Sequence, residues 1–240
     1  MIFTDPPYSL TFDSNREAFS RTDLSGSAAA QKVCDQGMDD FDTKNIEYLF
    51  KLGIKSMYFC CSRASVLEYL KLAVENKYKY DIHILYKNAP VPIHNGSYLN
   101  DVEYVLYFRL PQAVFNNKLG GAYYHHLVDE PTPDEIVEKQ FYSHVYRAAT
   151  GEGKKETSKE LDYELTHPTV KPLRLLIPRI SISSNPGDLV VDMFSGSGTT
   201  MIACEKLGRR CFTCEKLPEY VNETIDRWEA LTKQKAVKLN

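Results

Sequence analysis

The stretch Leu189-Val190-Val191-Asp192-Met193-Phe194-Ser195-Gly196-Ser197-Gly198-Thr199-Thr200 restricts the fold more than any other part of the chain. Its apolar start reads as a buried strand and the residues from Thr199 to Leu207 read as a helix. Between them, Gly196 and Gly198 permit a turn with positive φ and a close approach of backbone to ligand. A strand entering a helix through such a turn is the unit of an open α/β sheet, whose ligands bind at the carboxyl ends of the strands. Acidic Glu215 ends the following strand, Arg210–Glu215, where a carboxylate can accept hydrogen bonds from both ribose hydroxyls. NAD and S-adenosylmethionine would both be served by that arrangement. The dinucleotide fingerprint needs a small residue where this chain has Met201, which argues against a nicotinamide dehydrogenase.

A second motif lies at the opposite end of the chain. Ile2-Phe3 reads as the end of a buried strand that runs into Asp5-Pro6-Pro7-Tyr8. Two prolines stop the strand and fix the turn. The exocyclic amine of adenine or cytosine is a poor nucleophile because its lone pair is delocalised into the ring. Two acceptors set against its N–H bonds draw the nitrogen toward tetrahedral geometry. The Asp5 carboxylate and the Pro6 carbonyl can serve, and Pro7 restricts the residue that carries that carbonyl. Tyr8 offers a flat face for stacking a base. An amine inside a duplex is out of reach, so the base must be flipped out.

Between the two motifs the pattern alternates strands with helices, which implies a mainly parallel sheet. The expected elements are a short helix at Ile46–Leu52 closed by Gly53, a buried strand at Ile54–Cys61 and a helix at Val66–Glu75 with Leu67, Leu70 and Val74 on one face. Strands follow at Tyr80–Tyr86 and Val102–Arg109. Residues 9–45 read as a long polar loop. Residues 110–165 break the α/β pattern and read as an insertion, with His125-His126 and a helix at Pro133–Ala148. A Pro-containing helix, Pro172–Ile182, precedes the cofactor strand. The last helix starts at Pro218, a favoured first-turn residue, and is expected to bury Val221, Ile225, Trp228 and Leu231.

Composition adds exclusions. No apolar run approaches the roughly 20 residues needed to span a bilayer. The N-terminus lacks the basic region of a secretory signal. The six cysteines show no disulfide-framework spacing, which favours a reducing cytoplasm. Cys211 and Cys214 form a C-x-x-C, but residues three apart on a strand point to opposite faces and no second ligand pair accompanies them. No metal site is expected. The net charge of −3 neither advertises nor excludes a nucleic-acid partner, since phosphate contacts come from local basic stripes; Lys154-Lys155 and Arg209-Arg210 are candidate patches, each of which reads as a solvated face when taken singly.

With these residues in view, the chain resembles the amino-methyltransferases of DNA. The D-P-P-Y tetrad and the D-x-F-x-G-x-G-T-T turn carry the resemblance, in the motif order of the family's beta group. Thr166-His167-Pro168-Thr169-Val170-Lys171-Pro172, Tyr86-Lys87-Asn88-Ala89-Pro90, Leu52-Gly53-Ile54 and Glu103-Tyr104-Val105-Leu106 resemble further family elements. The resemblance implies a Rossmann-like, mostly parallel methyltransferase sheet flanked by helices, with one edge element liable to be missing and a small inserted recognition region. It implies a catalytic half at 1–109, a target-recognition insertion at 110–165 and a cofactor half at 166–240. Asp5, Pro6, Pro7 and Tyr8 are the implied catalytic residues. His167, Thr169, Lys171, Asp192, Phe194, Ser195, Gly196, Ser197, Gly198, Thr199 and Glu215 are the implied S-adenosylmethionine site, the H-P-T-x-K-P element holding the methionine end.

The implied activity is methyl transfer to the N6 amine of a flipped-out adenine in double-stranded DNA. Asp rather than Ser at the first clamp position points to adenine over cytosine-N4. A homodimer and a restriction endonuclease partner accord with the resemblance. The family usually carries a strand, a helix and an acidic residue before D-P-P-Y, whereas four residues precede Asp5 here. An N-terminally truncated, inactive DNA- or cofactor-binding remnant is therefore a rival expectation. A methyltransferase of a small amine or a protein glutamine is another.

Overall fold

The computed structural model describes residues 1–7, 44–87, 102–116, 145–148, 153–155 and 165–239. Tyr8, almost all of the 9–45 loop, His125-His126 and most of the 110–165 segment lie outside the described residues.

Among the described residues, seven strands form one sheet: β1 (Ile2–Thr4), β2 (Ser56–Cys61), β3 (Lys79–Lys87), β4 (Val102–Arg109), β5 (Val145–Ala148), β6 (Leu189–Asp192) and β7 (Arg210–Thr213). Their spatial order is β5-β3-β4-β2-β1-β6-β7. β1 is parallel to β2 and β6, β6 to β7, and β3 to β5; β4 alone runs against both its neighbours. The helices are α1 (Lys44–Lys51), α2 (Arg63–Glu75), α3 (Leu173–Ser183), α4 (Thr199–Leu207) and α5 (Pro218–Thr232). The mainly parallel sheet expected from the alternating pattern, Rossmann-like as the resemblance implies, is what forms.

Alternation along the central strands builds two cores, one on each face. Phe3, Tyr58, Cys60, Val105 and Tyr107 pack with Leu175, Leu176 and Ile180 of α3 and Ile202 and Ala203 of α4. Ile2, Met57, Phe59, Cys61, Leu106 and Phe108 pack with Leu49 and Phe50 of α1 and Tyr69 and Ala73 of α2. Burial on both faces explains why β2 is apolar without alternation. Each fully buried side chain of this size contributes roughly 1.5–3 kcal/mol. Tyr58 and Tyr107 stack at 4.3 Å, and the Tyr58 hydroxyl meets Ser183 at 2.8 Å, so the buried phenol is satisfied.

Three expectations are corrected. Leu67 and Val74 are 64% and 62% exposed, because α2 turns Tyr69 and Ala73 to the sheet instead. Val145–Ala148, expected as the end of a helix, is a strand that pairs with Ile84–Lys87 of β3. It lies within the 110–165 segment, so part of that segment extends the sheet. The buried face of α5 is Tyr220, Glu223, Thr224 and Arg227, while Val221 is exposed and Trp228 and Leu231 are half-buried. This face is polar because it serves the glycine-rich turn.

Candidate active site

Strand pairing brings the two end motifs together. Ile2 of β1 pairs with Val191 of β6, so the exits of the two strands lie side by side. Thr4 Oγ1 donates to Asp192 Oδ1 at 2.8 Å and accepts from the Met193 amide at 3.2 Å. Asp5-Pro6-Pro7 and the Ser195–Thr199 turn therefore leave the same edge of the sheet, the carboxyl edge at which open α/β sheets bind ligands.

The turn is held from inside. Ser195 N–H donates to the Cys214 carbonyl and Gly198 N–H to the Ser195 carbonyl, both at 2.9 Å. Gly198 takes φ +77° at the N-cap of α4, and no side chain caps that end. The Glu215 carboxylate accepts from the Gly196 amide at 2.8 Å and from the Leu217 amide at 2.9 Å. The carboxylate expected as a ribose acceptor thus fixes the turn, and a carboxylate that accepts two N–H bonds keeps further lone pairs for a ligand.

Helix α5 braces the turn from behind. Thr224 Oγ1 donates to the Gly196 carbonyl at 3.2 Å, and the Arg227 guanidinium donates to the Ser197 carbonyl at 2.7 Å and to Thr199 Oγ1 at 3.1 Å. Glu223 accepts from the Thr166 amide at 2.6 Å, and Tyr220 packs edge-on against the His167 ring at 4.5 Å. The same helix face therefore ties the H-P-T element to the turn. His167 lies against Gly196 so closely that a Cβ there would come within 2.8 Å of Nε2. Its Nδ1 accepts from the Thr169 amide at 3.2 Å. None of these α5 residues was singled out from sequence. The readable signal is Tyr220, Glu223, Thr224 and Arg227 at helical spacing, a polar face that resembles a solvated one.

Lys171, expected in the cofactor site, lies beside the clamp. Its ammonium meets Asp5 Oδ2 at 2.5 Å and Glu103 Oε2 at 3.7 Å. Glu103 is the second residue of β4, whose reversed direction brings its start to the same carboxyl edge. Arg209 is engaged in structure, donating to the Ser184 carbonyl at 2.7 Å and the Leu207 carbonyl at 2.6 Å. Among the described residues, no three His, Cys, Asp or Glu side chains gather to hold a metal ion, and no helix is long and apolar enough to cross a membrane.

A family profile described as DNA methylase, covering the N6 and N4 enzymes, matches residues 1–226. The chain belongs to this DNA methylase family. Over 60 residues it is 53% identical to the Type II methyltransferase M1.MboII of Moraxella bovis, a match covering 25% of this chain and 23% of that protein. Over 64 residues it is 42% identical to M2.DpnII of Streptococcus pneumoniae, covering 27% and 24%. These matches span about a quarter of the length of those relatives. The fold is similar to that of M1.HpyAVI in its complex with SAM, with TM-score 0.57, 24% identity, and 95% and 87% of the two chains covered. It is also similar to that of the cytosine-N4-specific PvuII DNA methyltransferase, with TM-score 0.58, 16% identity, and 95% and 78% covered.

In this member of the family, Asp192 is a girder of the site. It is buried, and it accepts from Thr4, from the Phe194 amide at 3.1 Å and from the Thr200 hydroxyl at 2.5 Å. Burial pushes its carboxyl up to about 6, with the three hydrogen bonds pulling back and Asp5 pushing further up. A folded-state value above the unfolded one means that the native state holds the extra proton between about pH 4 and 6. Stability from this group is therefore present below that window and lost as pH rises through it. Relative to Asp192→Asn, the wild-type chain should gain on the order of 2–3 kcal/mol between neutral pH and about pH 4. Paired urea titrations measure this; a difference that stays constant with pH refutes the assignment.

Proposed function

We infer that the chain transfers a methyl group from S-adenosylmethionine to the N6 amine of a flipped-out adenine in double-stranded DNA. The observation that carries this reading is the Thr4–Asp192 link, which sets the Asp5-Pro6-Pro7 clamp beside the glycine-rich turn. A clamp for an amine and a turn for a cofactor are useful to one reaction only when they adjoin.

The residues present fit the cofactor. Ser195 Oγ is buried in the turn with no hydrogen-bond partner among the described residues. A buried hydroxyl left that way is costly unless a ligand engages it. Gly196 and Glu215 lie beside it and are already oriented by one another. Ser195, Gly196, Gly198 and Glu215 would hold the nucleoside, and His167 with Thr169 would border the methionine end. When bound, S-adenosylmethionine supplies an electrophilic methyl group.

The protein's part is acceptance and orientation. Asp5 and the Pro6 carbonyl accept the two N–H groups of the amine, and Tyr8 stacks on the base. The amine becomes more acidic as it gains the methyl carbon, so Asp5 acts first as an acceptor and needs little basicity. Target reading is assigned to the 110–165 segment, outside β5. The aspartate at the first clamp position supports adenine through the family resemblance, in which the cytosine-N4 enzymes more often carry serine there.

Incubation with labelled S-adenosylmethionine and DNA of varied sequence, followed by nucleoside mass spectrometry, tests the reading. N6-methyladenine is expected. Methyl groups found on cytosine N4 alone would overturn the choice of base. Incorporation into free amines or protein but not DNA would overturn the substrate, and none at all would leave an inactive remnant.

A further inference from the structure

Three charged side chains from remote parts of the sequence converge beside the clamp. Lys171 precedes α3, Asp5 follows β1 and Glu103 is the second residue of β4, next to Val102. Their side chains are 13%, 25% and 17% exposed. Two carboxylates and one ammonium leave the cluster with a net charge of −1. An ammonium this sheltered needs its partners, and two carboxylates this sheltered need the ammonium.

We propose that Lys171 is a positioning residue for the catalytic carboxylate: it keeps Asp5 ionised and aimed at the amine, and Glu103 competes with Asp5 for it. The proposal rests on the methyl-transfer reading above. Without the ammonium, Asp5 and Glu103 would face one another in a partly dehydrated site, and one would take up a proton. A protonated Asp5 would present a donor where the amine N–H requires an acceptor. With the ammonium in place, one oxygen of Asp5 is anchored and the carboxylate still has lone pairs for the substrate.

Among the described residues, the other titratable groups around Asp5 are thiols, a phenol, a carboxylate and one guanidinium. Cys60 and Cys61 of β2 and Tyr69 of α2 are pushed up by burial, Cys61 to about 12, so they stay neutral. Asp192 of β6 adds negative charge. Arg179 of α3, the other cation that acts on Cys60, donates through Nη1 to the Leu175 carbonyl at 2.6 Å.

The test reads Asp5 directly. Carbon-13 carboxyl titration of aspartate-labelled protein, with the Asp5 signal assigned by its loss in Asp5→Asn, needs neither cofactor nor activity. Lys171→Met should raise the Asp5 midpoint by about one pH unit or more, and Glu103→Gln should lower it. Opposite shifts from two substitutions in one cluster are not a symptom of general loosening. If Lys171→Met does not fold, the direction in Glu103→Gln decides, and an unchanged or upward midpoint overturns the proposal.

Kinetics separate this role from cofactor holding. In Lys171→Met, S-adenosylmethionine affinity by calorimetry should stay within about threefold. At saturating cofactor, kcat should fall about 30-fold or more at neutral pH, and the acid limb of its pH profile should move up with Asp5. A loss of about tenfold or more in cofactor affinity with kcat preserved would make Lys171 a cofactor residue and overturn the proposal. A wild-type chain that methylates nothing would overturn the methyl-transfer reading, while the titration would still decide the Lys171–Asp5 coupling.

Discussion

Replacing Asp5 with alanine should lower methyl transfer on the order of 100- to 1000-fold while leaving S-adenosylmethionine affinity within about threefold. The magnitude is that of removing one oriented group from the reacting centre. Asp5 meets the amine most strongly as the nitrogen becomes tetrahedral, so its loss belongs to kcat. The cofactor turn should survive, because Thr4 and not Asp5 makes the hydrogen bonds to Asp192 and Met193. Lys171 also keeps a partner in the variant, since Glu103 lies 3.7 Å from its ammonium. Asp5→Asn keeps the shape and one neutral acceptor and should fall between wild type and Asp5→Ala. Single-turnover rates at saturating cofactor, with calorimetry alongside, measure both quantities. Full activity in Asp5→Ala would falsify the clamp.

The sequence shows what is local and hides what is relational. The course from Leu189 through Leu207 was legible because strand, glycines and helix succeed one another within a few residues, and α4 forms at Thr199–Leu207 as expected. The Val102–Arg109 strand was legible from its aromatic and branched residues. Its reversal against both neighbours was not, because direction depends on partners elsewhere in the chain. Lys171 illustrates the same limit: its motif was visible, but its contact with Asp5 requires β1, β4 and the approach to α3 to be assembled. Helix α5 was located correctly and its inner face only in part, since Trp228 and Leu231 pack half-buried against the core while Val221 is exposed. Hydrophobic periodicity favoured Val221, Ile225, Trp228 and Leu231 as the inner face. The interior here offers backbone carbonyls of a ligand turn, so Thr224 and Arg227 are the residues that can satisfy it.

Gly198→Ala should destabilise the chain by about 2–4 kcal/mol, a large share of an ordinary domain's stability. Two costs combine. The backbone sits at φ +77°, where a non-glycine residue loses roughly 1 kcal/mol. A Cβ there would also lie 2.5 Å from Thr224 Cγ2, 2.7 Å from its Oγ1 and 2.9 Å from its Cβ. Rotating Thr224 cannot clear all three atoms, and rotation would release its hydrogen bond to the Gly196 carbonyl. The obstruction is therefore α5 itself, pressed against the turn. Gly208 supplies the control: it has φ +68°, and a Cβ there would meet nothing within 4 Å. Gly208→Ala should cost only the conformational part, roughly 1 kcal/mol, and leave cofactor affinity unchanged. In Gly198→Ala the turn must move away from α5, which displaces Ser197 and Thr199 from Arg227 and should weaken S-adenosylmethionine binding about tenfold or more. Adding Thr224→Ala should recover part of the stability but not all, because Cβ of residue 224 remains too close. Urea denaturation and calorimetry on the three variants measure these differences. Equal costs at 198 and 208 would show that α5 does not set the shape of the turn.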